Sequence, residues 1–325
     1  MAVGIIGSGS FVPEIVIGTR TIAEWTGVDA ERIERKTGIA NRRYADAHTP
    51  TSVLALAAVV RLCDQVPDAL DDLAAIIVAT STPDQPQPST AALLHRLLGI
   101  APVAAWDLNA VCAGGLVGLV SGAAHAQMTG GRVLVVAADR YSGILDRHDY
   151  PTVSLFGDGA GAVLLGPVPD GYGLRAHAIE TDGTGAGLVG VTGGGTLHPL
   201  TAESIAAGED RFRMDGRGVR TWVMERLPRV VRTAAERAGI ELDAVSRLVA
   251  HQANPVMLDE IGAALGIEPE SIEKTAPEWG NSGAASLLAT LANAHVARPF
   301  ARGDQIMLAA VGGGMTAAAA VITWY

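Results

Sequence analysis

The chain has 325 residues, of which 49% are hydrophobic, only 4% are aromatic and 39 residues are glycine. This length suits two domains or one large α/β unit whose core is built from small aliphatic side chains. With 34 acidic and 24 basic residues the net charge is −10 and no long basic run occurs, so nucleic acid is excluded as a partner.

The chain carries two cysteines, Cys63 and Cys112, which are too few for a secreted disulfide scaffold and fit a reducing compartment. The first residues, MAVGIIGSGSFVP, lack the basic start and long apolar run of a signal peptide. The apolar runs VLVVAA and IMLAAV are much shorter than the roughly 20 residues of a membrane-spanning helix. We therefore expect a cytoplasmic protein without membrane contact, in which Cys63 is a core residue.

Two stretches of the chain follow the same order of predicted elements. Residues 73–100 and 245–267 each contain a short β-branched run, a polar turn with proline, and a helical stretch that ends in LGI. The β-branched runs are typical of buried strands. In the second stretch, Asn254 is predicted to cap the helix and Pro255 to occupy its first position.

The two stretches continue with the same order of predicted elements after each LGI segment. The small-residue segments VCAGGLVGLVSGAAHA and GNSGAASLLATLANAHVA predict helices, opened by Cys112 and Asn281 respectively. Each is followed by glycine and an apolar strand, in GRVLVVAADR and GDQIMLAAVGGG. This duplication predicts two α/β halves related by a pseudo-twofold axis, with mainly parallel sheets and helices on their faces.

Proline and glycine cluster in GPVPDGYG, residues 166–173, where we place the boundary between the halves. The N-terminal half is predicted to span residues 1–168 and the C-terminal half residues 169–325. Residues 181–218 are rich in glycine, threonine and charges, and predict loops over the mouth of a site.

The pseudo-twofold axis would bring Cys112, His251 and Asn281 to equivalent rims of the two sheets, where α/β proteins hold ligands. A thiol at a helix N-terminus can form a thiolate that attacks a thioester carbonyl. His251 can act as a base or as a donor to an oxyanion, and Asn281 is a neutral donor suited to an enolate oxygen. The glycines at 312–314 offer backbone N–H groups for an oxyanion hole together with Cys112.

Each of these residues also has an ordinary structural interpretation. A free cysteine among alanines is usually a small buried apolar residue, and a single histidine is more often structural than catalytic. Asn281 in GNSG is by default a turn residue. The segment FGDGAGAVLLG lacks the Lys-Ser/Thr pair of a phosphate loop, so we interpret it as a turn and a packed strand.

Seven motifs in order give the chain an end-to-end resemblance to the β-ketoacyl-acyl-carrier-protein synthase III family of thiolase-fold condensing enzymes. The matching segments are RKTGIANRRYA (35–45), DLNAVCAGG (107–115), FGDGAGAVLL (156–165), RMDGRGV (213–219), HQAN (251–254), GNSGAAS (280–286) and GGGMT (312–316). The resemblance implies an α/β thiolase-like fold in layers ordered αβαβα.

The resemblance also implies roles for individual residues. Cys112 would be the acylated nucleophile, while His251 and Asn281 would hold the thioester oxygen as a malonyl group loses CO2. Gly313 would pair with Cys112 in the oxyanion hole. The substrate-binding residues implied by the motifs are Lys36, Thr37, Met214, Gly216 and Asn254. Members are homodimers that use a malonyl-loaded acyl carrier protein, a CoA thioester or both, with no metal and no redox cofactor.

Several positions depart from the family pattern. Arg32 stands where a tryptophan commonly stacks on the CoA adenine, which leaves open whether CoA or a carrier protein delivers the acyl group. The helix after HQAN carries Asp259 and Glu260 instead of basic residues. Docking of an acidic carrier would then depend on other basic residues, namely Arg211, Arg213, Arg217 and Arg220. These departures favour a specialised relative from secondary metabolism.

Two other functions remain open at this point. One is an acyltransferase on the same scaffold, which moves an acyl group from a thioester to an alcohol, an amine or a carrier without loss of CO2. The other is a non-catalytic partner subunit, against which Cys112 argues because such partners lack the nucleophile. The acyl starter is also open, since a dimer mate is expected to contribute residues near 82–89, including Gln87.

Overall fold

Residues 2–325 are described in a computed structural model of the chain. Within them lie thirteen strands: β1 (Ala2–Phe11), β2 (Ile15–Gly18), β3 (Asn41–Tyr44), β4 (Leu73–Ala79), β5 (Ala104–Leu108), β6 (Arg132–Arg140), β7 (Asp158–Val168), β8 (Gly173–Thr181), β9 (Val189–Gly190), β10 (Arg213–Met214), β11 (Arg247–Ala250), β12 (Gln305–Gly312) and β13 (Thr316–Thr323). The same residues contain eleven α-helices: α1 (Thr19–Thr26), α2 (Ala30–Thr37), α3 (Thr51–Cys63), α4 (Thr90–Leu98), α5 (Gly114–Thr129), α6 (Tyr150–Val153), α7 (Ala202–Ala206), α8 (Gly216–Ala238), α9 (Pro255–Leu265), α10 (Ala276–Trp279) and α11 (Ala285–Ala297).

Two sheets with matching strand orders form the framework. The first has the order β1-β7-β6-β4-β5 and the second has the order β8-β13-β12-β11. In the described part of the chain the second sheet has four strands. Leu248 of β11 forms an isolated parallel bridge with Ile272, at the position that β5 occupies beside β4. The two sheets therefore show the duplicated order of elements that the sequence predicts.

Both sheets are mixed, so the prediction of mainly parallel sheets is wrong. Among the strands within residues 2–325, the parallel pairs are β4 with β5, β4 with β6, and β11 with β12. Strands β7 and β13 are antiparallel to both of their neighbours. In the second sheet the physical reason is the short return after β12. A turn through residues 313–315 cannot complete the crossover that a parallel neighbour of β12 needs.

Helices cover both sheets and fill the space between them, which gives the layer order αβαβα. Helices α3 and α4 pack on the outer face of the first sheet, and α8 and α9 pack on the outer face of the second. Helices α5 and α11 lie between the sheets and contact each other. We keep the division into residues 1–168 and 169–325 as a proposal, supported by the separation of the strands between two sheets.

Small residues let the two central helices approach the sheets and each other. A Cβ added to Gly115 of α5 would lie 2.6 Å from the carbonyl oxygen of Ala284, just before α11. At Gly161 of β7, a Cβ would clash with backbone atoms of Leu288 and Ala289 in α11. The glycine-rich segment of β7 is therefore a packing surface for α11, as the sequence predicts.

One helical stretch, Val111–Thr129, is long and apolar enough by composition to cross a membrane. Most of it is buried inside the fold, because it contains the central helix α5 between the two sheets. Its apolar composition is accounted for by that position.

The close approach at Gly161 predicts that Gly161→Ala destabilises the protein. The new methyl group meets backbone rather than flexible side chain, so we expect the midpoint of thermal unfolding to fall by about 5 °C or more. Gly187→Ala is the matched control, because a Cβ there meets no atom within 4 Å. Equal unfolding midpoints for the two variants in a thermal melt would contradict this account of the packing.

Candidate active site

An apolar cavity of about 180 Å³ is lined by Cys112, His251 and Asn281. Cys112 comes from the first half of the chain, and the other two residues come from the second. Other predicted site residues also line this cavity, namely Met214, Gly216, Asn254 and Gly313. The structure therefore brings together seven of the nine predicted residues, while their chemical roles stay predictions.

Cys112 lies in a tight 3-10 turn, Val111–Ala113, directly before α5. Val111 has a φ of 48°, a left-handed conformation that is strained for a β-branched residue. Such strain is common at sites where the backbone must present a side chain to a ligand. Burial raises the pKa of Cys112 to about 12, with a further contribution from the charge of Asp139, so the resting side chain is a neutral thiol.

The glycines after β12 approach the cysteine turn closely. A Cβ at Gly312 would lie 2.8 Å from the backbone nitrogen of Ala113, so only glycine fits there without a shift. Gly313 follows the end of β12, and among residues 2–325 no hydrogen bond occupies its N–H. This leaves the N–H of Gly313 available to an oxygen atom bound beside Cys112.

His251 follows the end of β11, where its backbone N–H donates to the carbonyl oxygen of Ala309 at 2.8 Å. Its Nδ1 lies 2.7 Å from Oγ of Ser286 in α11, and that oxygen accepts the N–H of Gln252 at 3.2 Å. Because Nδ1 is engaged, Nε2 is the ring nitrogen left for the cavity. Burial lowers the pKa of His251 to about 4, so the imidazole is neutral at pH 7.

Asn281 is held by backbone hydrogen bonds to a segment of the first half. Its N–H donates to Leu155 at 2.8 Å, and its carbonyl oxygen accepts the N–H of Gly157 at 2.9 Å. The side-chain Oδ1 accepts the N–H of Gly283 at 3.0 Å, which leaves the Nδ2 hydrogens as donors. Helix α11 begins only at Ala285, so the prediction that Asn281 opens this helix is wrong. The turn through Gly283, with a φ of 58°, separates the two.

Three other residues that were predicted for the site lie at or next to the ends of helices and strands. Asn254 caps α9, since its Oδ1 accepts the N–H of Met257 at 2.8 Å, as predicted. Met214 ends the short strand β10, and Gly216 begins α8. Val189 of β9 also lines the cavity, so residues from the predicted 181–218 loop region do lie at this site.

Lys36 and Thr37 are not among the residues that line the cavity. Both lie at the end of α2, where Lys36 is exposed and Thr37 is buried. The Thr37 hydroxyl donates to the carbonyl oxygen of Ile33 and accepts the N–H of Ile39, so local backbone contacts occupy it. A role for these two residues in substrate binding stays a prediction.

Comparisons with known proteins give family models that match two parts of the chain and relatives that cover 98% or more of it. Family models described as 3-oxoacyl-[acyl-carrier-protein] synthase III and its C-terminal part match residues 106–190 and 235–324. The chain is 43% identical over 322 residues to acetoacetyl CoA synthase NphT7 of Streptomyces sp. (strain CL190), with 98% of both chains covered. It is 35% identical to a β-ketoacyl-[acyl-carrier-protein] synthase III of Desulfitobacterium hafniense, over 100% of this chain and 98% of the relative.

The chain belongs to the β-ketoacyl-[acyl-carrier-protein] synthase III family. A solved structure of such a synthase from Thermus thermophilus superposes with a TM-score of 0.92 at 35% identity, covering 99% of each chain. This confirms the predicted thiolase-like fold. The protein is an acyltransferase of the ketosynthase type, which transfers an acyl group from a thioester to a cysteine and then carries out a decarboxylative Claisen condensation.

Sequence reasoning missed Asp139, a fully buried carboxylate that joins the two halves of the synthase. It accepts the N–H of Ala284 at 2.7 Å, just before α11, and the N–H of Ser81 at 2.8 Å, just after β4. The signal was present in the sequence, because Asp139 is the first charged residue after the apolar run VLVVAA. A buried charge at a strand end is typical of a residue that fixes loops.

Three aromatic side chains beside Cys112 were also missed. Tyr141 stacks on Phe156 with ring centroids 4.4 Å apart, and Phe212 meets both rings edge-on at 5.2 and 5.0 Å. The Tyr141 hydroxyl lies 3.8 Å from the sulfur of Cys112. These three residues flank the strands β6, β7 and β10, which are far apart in the chain. No regular sequence spacing therefore connects them.

The buried environment of His251 predicts a titration well below that of an exposed histidine. With a pKa near 4, the ring stays neutral between pH 5 and 8, so its NMR signals are expected to show no titration near pH 6.5. The signal is assigned by its disappearance in His251→Asn. A midpoint for this ring between pH 6 and 7 would show that the cavity is hydrated and contradict the account of its electrostatics.

Proposed function

We propose that Cys112 accepts a short acyl group from a thioester, and that this group is condensed with a malonyl unit carried by coenzyme A to give a β-ketoacyl thioester. One observation carries the proposal: Cys112 from one half and His251 and Asn281 from the other line the same apolar cavity. The acetoacetyl CoA synthase among its relatives is named for a product of this kind.

In the first step of the proposed reaction, the sulfur of Cys112 attacks the carbonyl carbon of the acyl donor. The carbonyl oxygen gains negative charge and accepts the backbone N–H groups of Cys112 and Gly313. The strained turn and the available N–H of Gly313 support this assignment. The thiol of the donor leaves, and the acyl group stays on Cys112 as a thioester.

In the second step, Nε2 of His251 and Nδ2 of Asn281 donate hydrogen bonds to the thioester oxygen of the malonyl group. Loss of CO2 then leaves an enolate whose oxygen these two donors stabilise. Both groups are neutral, and the apolar walls favour conversion of a carboxylate into uncharged CO2. The enolate carbon attacks the acyl group on Cys112, and the cysteine is released.

The aromatic cluster of Tyr141, Phe156 and Phe212 supports a short acyl starter. Its rings close the space next to the sulfur, and all three side chains are buried. A longer acyl group would have to displace these packed aromatic rings, and several packing contacts would be lost together. We therefore propose a two-carbon acyl group as the preferred starter.

The pairing of basic side chains supports coenzyme A, rather than a carrier protein, as the malonyl carrier. Three of the four arginines predicted to dock an acidic carrier are already paired with acids: Arg211 with Asp210, Arg213 with Asp146 and Asp149, and Arg220 with Glu260. In contrast, exposed cations on α2 form no ion pair within residues 2–325 and can bind the phosphates of CoA, namely Arg32, Arg35 and Lys36.

A malonyl-loaded carrier protein is the second candidate, favoured by relatives named β-ketoacyl-[acyl-carrier-protein] synthase III. We also propose that the enzyme is a cytoplasmic homodimer from a secondary-metabolite pathway. The two unpaired cysteines support a reducing compartment. The segment 83–88, where a partner chain is expected, is largely exposed and supports the homodimer. Light scattering should give twice the chain mass of 33.4 kDa. The reaction changes no oxidation state through an external agent, so we propose no metal or redox cofactor.

The assigned roles predict different defects for two variants. Cys112→Ala should gain no acyl group in intact-protein mass spectrometry after incubation with acetyl-CoA, because the nucleophile is absent. Asn281→Ala should still be acylated, but its condensation with malonyl-CoA should fall by about 100-fold or more, since one enolate donor is lost. The control is Cys63→Ala, which removes the other thiol, away from the cavity.

The same assay separates the alternatives by its products. Acyl transfer to an alcohol or amine without CO2 release would identify the acyltransferase, and an unmodified Cys112 in the folded protein would identify the partner subunit. Either result would contradict the proposed function. A kcat/KM for malonyl-carrier protein more than tenfold above that for malonyl-CoA would overturn the choice of carrier alone.

The aromatic cluster predicts that Phe212→Ala broadens the choice of starter. Removal of this ring opens space beside Cys112, so the ratio of kcat/KM for hexanoyl-CoA to that for acetyl-CoA should rise by about tenfold or more. Phe300→Ala is the matched control, because it removes a buried ring that does not line the cavity. An unchanged ratio in Phe212→Ala would show that the cluster does not limit the acyl group.

A further inference from the structure

A chain of hydroxyl groups connects the sulfur of Cys112 to the buried carboxylate of Asp139. The Cys112 sulfur lies 3.8 Å from the Tyr141 hydroxyl, which lies 3.1 Å from Oγ of Ser81. That oxygen lies 3.1 and 3.2 Å from the two carboxylate oxygens of Asp139. Within residues 2–325, the Tyr141 hydroxyl is the polar side-chain group in contact with the Cys112 sulfur. Neither step of the proposed reaction uses this contact.

The direction of these hydrogen bonds follows from counting protons. Ionised Asp139 has no proton to give, and it accepts backbone N–H groups at Ser81, Thr82 and Ala284, which favour the ionised form. Burial raises the pKa of Asp139, and these hydrogen bonds act against that shift. The single proton of the Ser81 hydroxyl is therefore donated to the carboxylate, and Oγ of Ser81 acts as an acceptor for Tyr141.

The Tyr141 hydroxyl has one proton and two neighbours that can accept it. In the resting enzyme Cys112 is a neutral thiol, so Tyr141 donates to Ser81 and its oxygen accepts the S–H of Cys112. When the sulfur becomes negative, it is the stronger acceptor, and rotation about the C–O bond turns the tyrosine proton towards it. The same hydroxyl thus serves both states of the nucleophile.

We propose that Tyr141 is a catalytic residue for acylation, whose hydroxyl accepts the S–H of resting Cys112 and turns to donate to the sulfur as the thiolate forms, while Ser81 holds it in the resting orientation. The proposal depends on the proposed function only for the assignment of Cys112 as nucleophile. In the step, the S–H bond of Cys112 and the C–S bond of the donor break, and a new C–S bond forms. The proton ends on the departing thiolate, and Tyr141 keeps its own.

Other charged groups near the sulfur do not replace this contact. The titratable or charged side chains that face the cavity or the turn of Cys112 are Tyr141 and Asp139 at the end of β6, His251 after β11, and Arg220 on α8. The Arg220 guanidinium is paired with Glu260, and Asp139 is negative and opposes ionisation of the thiol. Two hydrogen bonds lower the pKa of Cys112, one from the Tyr141 side chain and one from the backbone of Cys112 itself, and Tyr141 is the one that comes from a side chain.

The test measures the rate at which iodoacetamide alkylates Cys112 between pH 7 and 9, followed by peptide mass spectrometry so that Cys63 is counted separately. Tyr141→Phe keeps the ring and removes the donor to the thiolate, so the rate should fall by about tenfold at each pH. Ser81→Ala removes the acceptor that holds the tyrosine proton, so the rate should rise by about threefold or more. A purely structural role would move both variants in the same direction.

Tyr44→Phe is the matched control, because Tyr44 belongs to the same buried hydrophobic cluster as Tyr141 and its buried hydroxyl has no hydrogen-bond partner within residues 2–325. Its alkylation rate should equal that of the wild type. The proposal is overturned if Tyr141→Phe is alkylated at the wild-type rate, or if Ser81→Ala and Tyr141→Phe both become slower. Alkylation needs no thioester or malonyl substrate, so this result stands apart from success or failure of the condensation assay.

Discussion

The structure depends on one buried carboxylate at the meeting point of the two halves. Asp139 ends a strand of the first sheet, accepts backbone N–H groups from the turn after β4, and accepts the N–H of Ala284 directly before the central helix of the second half. A fully buried charge is tolerated only when its hydrogen bonds are satisfied, so the turn and the helix must both be in place around it. Tyr141 lies close to Asp139 in the chain, and Cys112 and the loop of Asn281 lie close to it in space. The geometry of the site is therefore tied to the contact that joins the two halves.

Burial decides the charge state of the reacting groups. Removal from water keeps Cys112 as a neutral thiol and His251 as a neutral imidazole, because burial disfavours both the thiolate formed by proton loss and the imidazolium formed by proton gain. A neutral histidine beside a neutral amide can stabilise an enolate without holding the carboxylate of the malonyl group in place. The same burial keeps the thiol protonated at rest. In the proposed reaction, the local hydrogen-bond donors offset that cost when a thioester is bound.

The sequence predicted the duplicated order of elements, because strand, turn and helix signals recur twice with the same chain order. Through the same duplication it predicted that Cys112, His251 and Asn281 converge on one cavity, since equivalent positions of two related halves must lie near the axis that relates them. It failed on strand direction, because the hairpin between β12 and β13 is set by a three-residue turn rather than by strand composition. It also missed the cluster of Tyr141, Phe156 and Phe212, whose members meet only through tertiary packing. Asp139 is visible in the sequence as the charged residue after an apolar run, but its partners are backbone N–H groups and the hydroxyls of Thr80, Ser81 and Thr82, which carry no sequence signature.

The most direct test of the account is a crystal structure of the enzyme after reaction with acetyl-CoA, with a non-decarboxylating malonyl-CoA analogue bound. The account predicts an acetyl group on the sulfur of Cys112, with its oxygen within hydrogen-bond distance of the backbone nitrogen of Gly313. It also predicts that Nε2 of His251 and Nδ2 of Asn281 both contact the thioester oxygen of the analogue. An acetyl group on another residue, or an analogue oxygen bound away from His251 and Asn281, would contradict the central claim that one cavity unites the residues of both halves.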